Sequence, residues 1–293
     1  MISRVTASSM AQTSMRQLQA NLSELARLQE QATSQRAFLA PSDDPTAATT
    51  AMRVHAEQRR TEQYARNADD GLAWLTAADS AITASTTLLA RARNLTVQGA
   101  NDGALDPVAK EAIAVELEGI RDELLAQANT RVLGRSVFAG TSDTPAFTDQ
   151  GAYSGVPDSE VVRRVSDGTS IRVDADGAAV FGVGDASVFT LIDDIVKDLR
   201  AGANVGPRLN EIDDRRTAML SAQGAVGARQ SQMERAKEAT LQDSVSLEAR
   251  RAAVEDVDSV EVLVRLQAQE LVYRSALAVT GRVLQPSLME FLR

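Results

Sequence analysis

Arg36-Ala37-Phe38-Leu39-Ala40-Pro41-Ser42-Asp43-Asp44-Pro45-Thr46-Ala47-Ala48 is where one long helical pattern gives way to another. Each proline lacks an N–H and clashes with the preceding turn, so no helix runs through this segment. The same residues start the next helix. Asp44 is suited to cap it, with Pro45 at the first helical position, where the missing N–H costs nothing. Residues 1–40 contain no glycine or proline, and between Thr46 and Gln98 the only one is Gly71. The segment therefore separates two long helices.

Outward from the break, periodicity names the other elements. Before it, Met15, Leu18, Leu22, Leu25, Gln29 and Ala32 form a heptad seam with Leu28 beside it. After it, a stripe runs through Ala65, Ala68, Leu72, Leu75, Ile82 and Leu89 to a turn at Asn101-Asp102-Gly103. Asp106-Pro107 repeats the cap logic for a third helix with Ile113, Leu117, Ile120 and Leu124 on one face. From Gly134 to Pro207 lie ten of the seventeen glycines, and the period changes. Residues 161–165, 171–173 and 179–181 read as short strands separated by Asp167-Gly168 and Asp176-Gly177, dipeptides suited to hairpin turns. Five of the ten aromatics, Phe138, Phe147, Tyr153, Phe181 and Phe189, fall in this region.

Helix returns near Asp185, with Val188, Leu191, Ile192, Ile195 and Leu199 on one face. A long stripe follows through Leu209, Ile212, Met219, Val226 and Met233. The last segment carries two neighbouring seams. One is Val257, Val260, Val264, Gln267 and Leu271; the other is Leu263, Leu266, Glu270, Tyr273, Leu277, Thr280 and Leu284. Together they are too broad for one partner helix, so the segment must meet several neighbours or expose an apolar face. The expected fold is mainly α with a small β insert. Long antiparallel helices pair at the two ends as a coiled coil, around a central helical bundle and an inserted antiparallel β domain.

Composition narrows the function. Of 293 residues, 44% are hydrophobic but only 3% aromatic, with one tryptophan, Trp74, one histidine, His55, and no cysteine. That leaves no thiol nucleophile, disulfide or zinc–thiolate site, and little for an aromatic-lined pocket. The net charge of −9 and pI near 4.8 argue against nucleic acid as partner. No apolar run is long enough to insert in a membrane, and the amino terminus lacks a secretory signal's apolar core. Residues 61–249 hold 18 basic against 29 acidic side chains, while both ends are nearly neutral. The ends' heptads are diluted by Ser, Thr, Gln and Glu, which suggests helices completed by assembly. Periodicity alone is also compatible, though less so, with an ordinary bundle core that has no partner.

The polar candidates have bland readings. Asp43-Asp44 has the form of a metal or proton-sharing pair, but no further ligands accompany it, and a turn and cap explain it. Asp193-Asp194 and Asp213-Asp214 read as solvated helix faces, and His55 as a surface or interface residue. Glu270 is either a buried ion-pair partner or a solvated seam edge. Gly182-Val183-Gly184 lacks the dinucleotide-binding spacing. Arg59-Arg60, Arg163-Arg164, Arg215-Arg216 and Arg250-Arg251 read as inter-subunit salt bridges or covers for helix faces. No catalytic, cofactor or metal residue is assigned, and no enzyme activity is expected.

Four stretches carry a family resemblance. They are Pro41-Ser42-Asp43-Asp44-Pro45-Thr46-Ala47-Ala48, Glu118-Gly119-Ile120-Arg121-Asp122-Glu123-Leu124, Arg135-Ser136-Val137-Phe138-Ala139-Gly140-Thr141 and Ser287-Leu288-Met289-Glu290-Phe291-Leu292-Arg293. Tyr153-Ser154-Gly155 adds to them. The sequence resembles the flagellin superfamily, and within it the branch at the hook–filament junction. The resemblance implies an inner domain of residues 1–40 with 255–293, a helical bundle of 46–140 with 185–250, and an outward β insert of 141–184. It implies an extracellular place in the bacterial flagellum, reached by type III export without a cleaved signal. The implied partners are further copies in a ring, the other hook-associated protein, flagellin, and an export chaperone on the carboxyl-terminal helix. Pro41, Asp43, Asp44 and Pro45 would be the interdomain elbow, and Phe138 and Gly140 the border of the insert. The assembly interface would be Leu18, Leu22, Leu25, Leu28, Val260, Leu263, Leu266, Leu271, Tyr273, Leu277 and Leu284. The alternatives are flagellin itself and, from another class, a cytoplasmic helical-bundle regulator or chaperone.

Overall fold

A computed structural model describes the backbone of residues 2–101 and 106–291, and the side chains of 9–101 and 106–281. The order of elements is α1 (Ile2–Ser34), α2 (Pro45–Gly99), α3 (Pro107–Ala128), β1 (Arg131–Val132), β2 (Arg135–Ser136), β3 (Val162–Arg164), β4 (Ser170–Arg172), α4 (Gly177–Phe181), α5 (Val188–Arg200), α6 (Arg208–Glu255) and α7 (Ser259–Phe291). β1–β2 and β3–β4 are two separate antiparallel hairpins. The mainly α class with a small β element is the one the periodicity gives. The chain divides into two compact units, residues 1–59 with 245–293, and residues 60–244.

In the larger unit α2 and α6 run antiparallel. Arg93 grips Asp213 with two bonds of 2.8 and 3.1 Å, and Lys237 pairs with Asp69 at 2.7 Å. Gly71 lies under Met233, and the helices approach closely because no Cβ stands there. The stripes read from sequence are the buried ones. Ala68, Leu75, Ile82 and Leu89 of α2, Ile113, Leu117, Ile120 and Leu124 of α3, and Ile212, Met219, Val226 and Met233 of α6 share one core. Asp106 caps α3 as expected, accepting from the Ala109 N–H at 2.7 Å. The stretch containing Glu118 and Arg121 joins α3 to α5: Arg200 bridges Glu111 at 2.8 Å and Glu118 at 2.7 Å, and Arg121 meets Asp193 at 2.8 Å.

Two strand assignments are corrected. Residues 179–181 belong to α4, because Asp176 caps a helix rather than turning a hairpin. Its carboxylate accepts the Ala178 and Ala179 N–H groups at 2.9 and 3.3 Å. The β1–β2 hairpin was not apparent in sequence, because its tip is Leu133-Gly134 rather than Asn-Gly; both residues have positive φ, +50° and +83°. The hairpin at Asp167-Gly168 does form. Tyr64 donates to Asp167 at 2.8 Å and Asn67 to the Arg164 carbonyl at 2.7 Å, which tethers it to α2. Arg163 lies over Trp74, 5.7 Å from the ring centre, and bonds Asp70 at 2.6 Å.

All five aromatics of the central region converge. Phe147 meets Tyr153, Phe181 and Phe189 with ring centres 5.1–5.5 Å apart, and Phe138 stands edge-on to Phe181 at 5.2 Å. Phe138 is fully buried. Gly140 has φ +61°, and a Cβ there would collide with the Ser159 hydroxyl. These two border residues lead the chain from β2 into the segment that closes over the aromatic cluster. That segment shares a continuous core with the helices around it.

Candidate functional site: the terminal helix pair

In the smaller unit α1 does not reach the prolines. It stops at Ser34 because Gln35 takes φ +57°, six residues earlier than the sequence suggested. The Gln31 amide then donates to the Ala37 carbonyl at 2.6 Å, and the Ala37 N–H to the Glu255 carbonyl at 2.7 Å. The break itself is a double cap. Asp43 accepts the Leu39 and Ala40 N–H groups at 3.1 and 2.9 Å, and Asp44 those of Thr46 and Ala47 at 3.0 and 2.8 Å. The backbone donors hold the Asp43 carboxyl below its ordinary pKa. Both acids are thereby explained by the turn, and no acidic or histidine cluster suited to a metal occurs among the described residues.

α1 and α7 pair antiparallel. Gln269 donates to the Asn21 carbonyl at 3.2 Å, and beyond the helix ends the backbones of Arg36 and Asp256 form a single antiparallel β-bridge. The face α1 turns inward is Ala11, Ser14, Leu18, Asn21, Leu25, Leu28 and Gln31, with Ala32 beside it. Leu18, Leu25 and Leu28 therefore lie in the seam. Leu22, still 50% exposed, lies just outside, its place taken by Asn21. On α7 the inward face is Val262, Leu266, Gln269, Tyr273, Ala276 and Thr280. Leu266 and Tyr273 fall in it. Val260, Leu263, Leu271 and Leu277 do not, with exposures of 72, 51, 67 and 46%. Leu284 lies outside the residues whose side chains are described.

The helix thus buries only Leu266, Tyr273 and Thr280 of its second seam, and leaves Leu263 and Leu277 to solvent together with Val260, Val264 and Leu271 of the first and with Val279. Beside it a groove of about 530 Å³, lined by Leu18, Asn21, Leu271, Ala276 and Val279 among others, runs between the two helices. Glu270 is half-exposed and 3.7 Å from Arg274, a solvated seam edge.

Several of the remaining polar candidates are held within the chain. His55 contacts Glu255 at 2.6 Å through Nε2 and Gln58 at 3.1 Å through Nδ1, a partner 200 residues away that helical spacing could not reveal. Arg251 meets Glu248, Glu255 and Asp256, while Arg215 donates to the Ala179 and Ala186 carbonyls. Asp193, Asp194 and Asp213 pair with arginines rather than standing free.

Across residues 5–143 the sequence matches the profile of the bacterial flagellin N-terminal helical region, and across 209–292 that of its C-terminal helical region. The chain belongs to the flagellin family. Flagellar hook-associated protein 3 of Salmonella typhimurium is 29% identical over 181 residues, covering 61% of this chain and 56% of that relative's length. Flagellin of Bacillus subtilis is 23% identical over 257 residues, covering 83% and 84%. A putative flagellar hook-associated protein from Vibrio parahaemolyticus has the same fold, with a TM-score of 0.67 at 22% identity over 73% of this chain and all of that one. The two flagellin profiles flank residues 144–208, which hold most of the aromatic cluster and the β3–β4 hairpin. In this flagellin-family chain no described helix is long and apolar enough to cross a membrane.

Proposed function

We propose that this chain is a structural, non-enzymatic subunit of the bacterial flagellum that forms a ring joining the hook to the filament. The reading rests on its likeness to hook-associated protein 3, whose name associates that relative with the flagellar hook. The exposed row of α7 supplies the physical requirement. Val260, Leu263, Val264, Leu271, Leu277 and Val279 are apolar surface that a helix exposes at a cost and that neighbours would cover. In this reading, residues 1–40 with 255–293 are the inner layer and 46–140 with 185–250 the next. Residues 141–184 are the outer insert, and Pro41–Pro45 the elbow. The ring contacts the other hook-associated protein on one side and flagellin on the other. Before export, without a cleaved signal, a soluble chaperone covers the carboxyl-terminal helix and keeps the apolar row from aggregating.

The alignment with Bacillus subtilis flagellin over most of both chains favours a second reading, the bulk filament subunit. One experiment separates them: a clean deletion of the gene, with electron microscopy of the cells and assay of flagellin in the medium. Hooks without filaments and unpolymerised flagellin outside the cell support the junction. Loss of the filament with no flagellin remaining anywhere supports the second reading, and normal filaments would sink both.

A further inference from the structure

The β1–β2 hairpin places a leucine where folding gains nothing from it. Leu133 is 88% exposed at the tip of a two-residue turn and sits at φ +50°. Glycine or asparagine meets that requirement without strain, whereas a branched apolar side chain is disfavoured there. Arg131, on the same short hairpin, is exposed, and Arg135, opposite Val132, has its guanidinium 3.3 Å from Asp143. The tip is therefore an aliphatic knob with basic flanks.

A matching hollow lies elsewhere on the same unit, between residues 61–72 of α2 and 234–244 of α6. It has a volume of about 410 Å³, and its wall is formed by Ala65, Leu72 and Leu241, the last 60% exposed. Glu62, Glu234 and Glu238 stand on its rim. Lys237, the one cation of the lining, is engaged by Asp69 at 2.7 Å. Knob and hollow are complementary in both polarity and charge. The knob's exposure shows that it does not fill the hollow of its own chain.

We propose that the occupant is a second copy of this chain: Leu133 of one subunit seats in the α2–α6 hollow of the next, with Arg131 against the acidic rim. Two different patches meet in such a contact, so it is heterologous and propagates from copy to copy, closing into a ring or running on as an open helix. Opposite charges at the rim fix orientation and discourage other pairings. The inference rests on the self-assembling flagellar role above and adds which surfaces of the larger unit meet.

The absence of cysteine makes the test direct. Leu133→Cys with Leu241→Cys introduces the only two thiols, both at exposed positions where the fold tolerates them. Flagella sheared from cells expressing the double variant are treated with a short bis-maleimide and blotted for the protein. The expected result is a ladder of dimers and higher multimers, with each single variant remaining monomeric. If the protein is in the flagella but the double variant stays monomeric, or joins a different protein, the contact is overturned. If even the unsubstituted protein is missing from flagella, the flagellar role itself fails, and this inference with it. Leu133→Asn gives an independent reading. It relieves the turn, so the purified protein should melt at the same or a higher temperature, while incorporation into flagella falls about tenfold, the scale of one anchoring contact. A merely structural leucine would instead lower the melting temperature and leave incorporation unchanged.

Discussion

Leu263 and Leu266 are three residues apart on α7, and the structure gives them opposite tasks. Leu266 faces α1, whereas Leu263 is half-exposed on the row that no part of the described chain covers. Fully burying a leucine is worth roughly 1.5–3 kcal/mol, so covering the exposed half of Leu263 contributes about 1 kcal/mol per subunit on assembly. Leu263→Asp removes that term and adds the cost of an unpaired carboxylate in an apolar contact, roughly 2 kcal/mol or more. A net loss of about 3 kcal/mol lowers incorporation by a factor of about 100. The isolated protein should hardly notice, since an exposed substitution changes stability by roughly 0.5 kcal/mol or less. Leu266→Asp puts the charge into the α1–α7 seam instead, and should weaken that pairing by roughly 2–4 kcal/mol before any assembly. Two assays separate the cases: amide exchange of residues 14–28 in the purified protein, and the amount of protein in sheared flagella. The expected pattern is normal exchange with lost incorporation for Leu263→Asp, and accelerated exchange for Leu266→Asp. Normal incorporation of Leu263→Asp would refute the claim that the exposed row is an assembly surface.

Three further outcomes follow from the geometry. Phe147→Ala empties the centre of a cluster in which three rings touch it, and should cost about 3–5 kcal/mol, read as a lower melting temperature by the fluorescence of Trp74, the only tryptophan and a fully buried one. Gly182→Ala should destabilise by more than Gly134→Ala: both have positive φ, +80° and +83°, but only at Gly182 would the new Cβ meet backbone, the Ala186 carbonyl, so the latter change should cost only the strain of about 1 kcal/mol in denaturant melts. Asp43 has its pKa depressed in the folded chain by two backbone donors, so its contribution is complete above the ordinary carboxylate range and is lost as the pH falls through its lowered value. Proteolysis within residues 35–44 should therefore be faster in Asp43→Asn than in the unsubstituted protein at pH 7, and the two rates should converge on acidification.

The parts of this fold that could be read from sequence are those where one helix face is buried on a single side. In α3, α5 and α6 every residue of the expected stripes is buried or nearly so, because a wide core face tolerates small errors of phase. The terminal pair has no such tolerance. Its seam is one residue wide at each step, and Leu22 and Leu263 look like seam positions by hydropathy. Yet Asn21 and Val262 take those places, because the phase of a two-helix contact is set by the partner's shape as well as by polarity. Gln35 ended α1 through a left-handed backbone that its side chain does not announce. Asp176-Gly177 illustrates the same limit, since the dipeptide suits a hairpin and a helix cap equally, and the packing of Phe181 against Phe138 and Phe147 decides for the helix.

The misphased residues also bear on function. A sequence that needed only a stable helical hairpin would place its leucines in the seam and polar residues outside it. Here Asn21, Gln269 and Thr280 occupy inward positions, while Val260, Leu263, Leu271 and Leu277 face out. Polar groups in the seam weaken the pairing of α1 with α7, and apolar groups outside it favour contacts with other chains. Both departures shift stability away from the isolated chain and toward an assembly. In the proposed role, a subunit that travels as a monomer and becomes rigid only beside its neighbours would be served by that distribution. Exchanging the two sets, with Asn21→Leu and Gln269→Leu against Leu263→Gln and Leu271→Gln, should give a terminal pair that melts at a higher temperature in isolation yet incorporates poorly into flagella. A variant that gained stability and still assembled normally would show that the outward leucines are incidental.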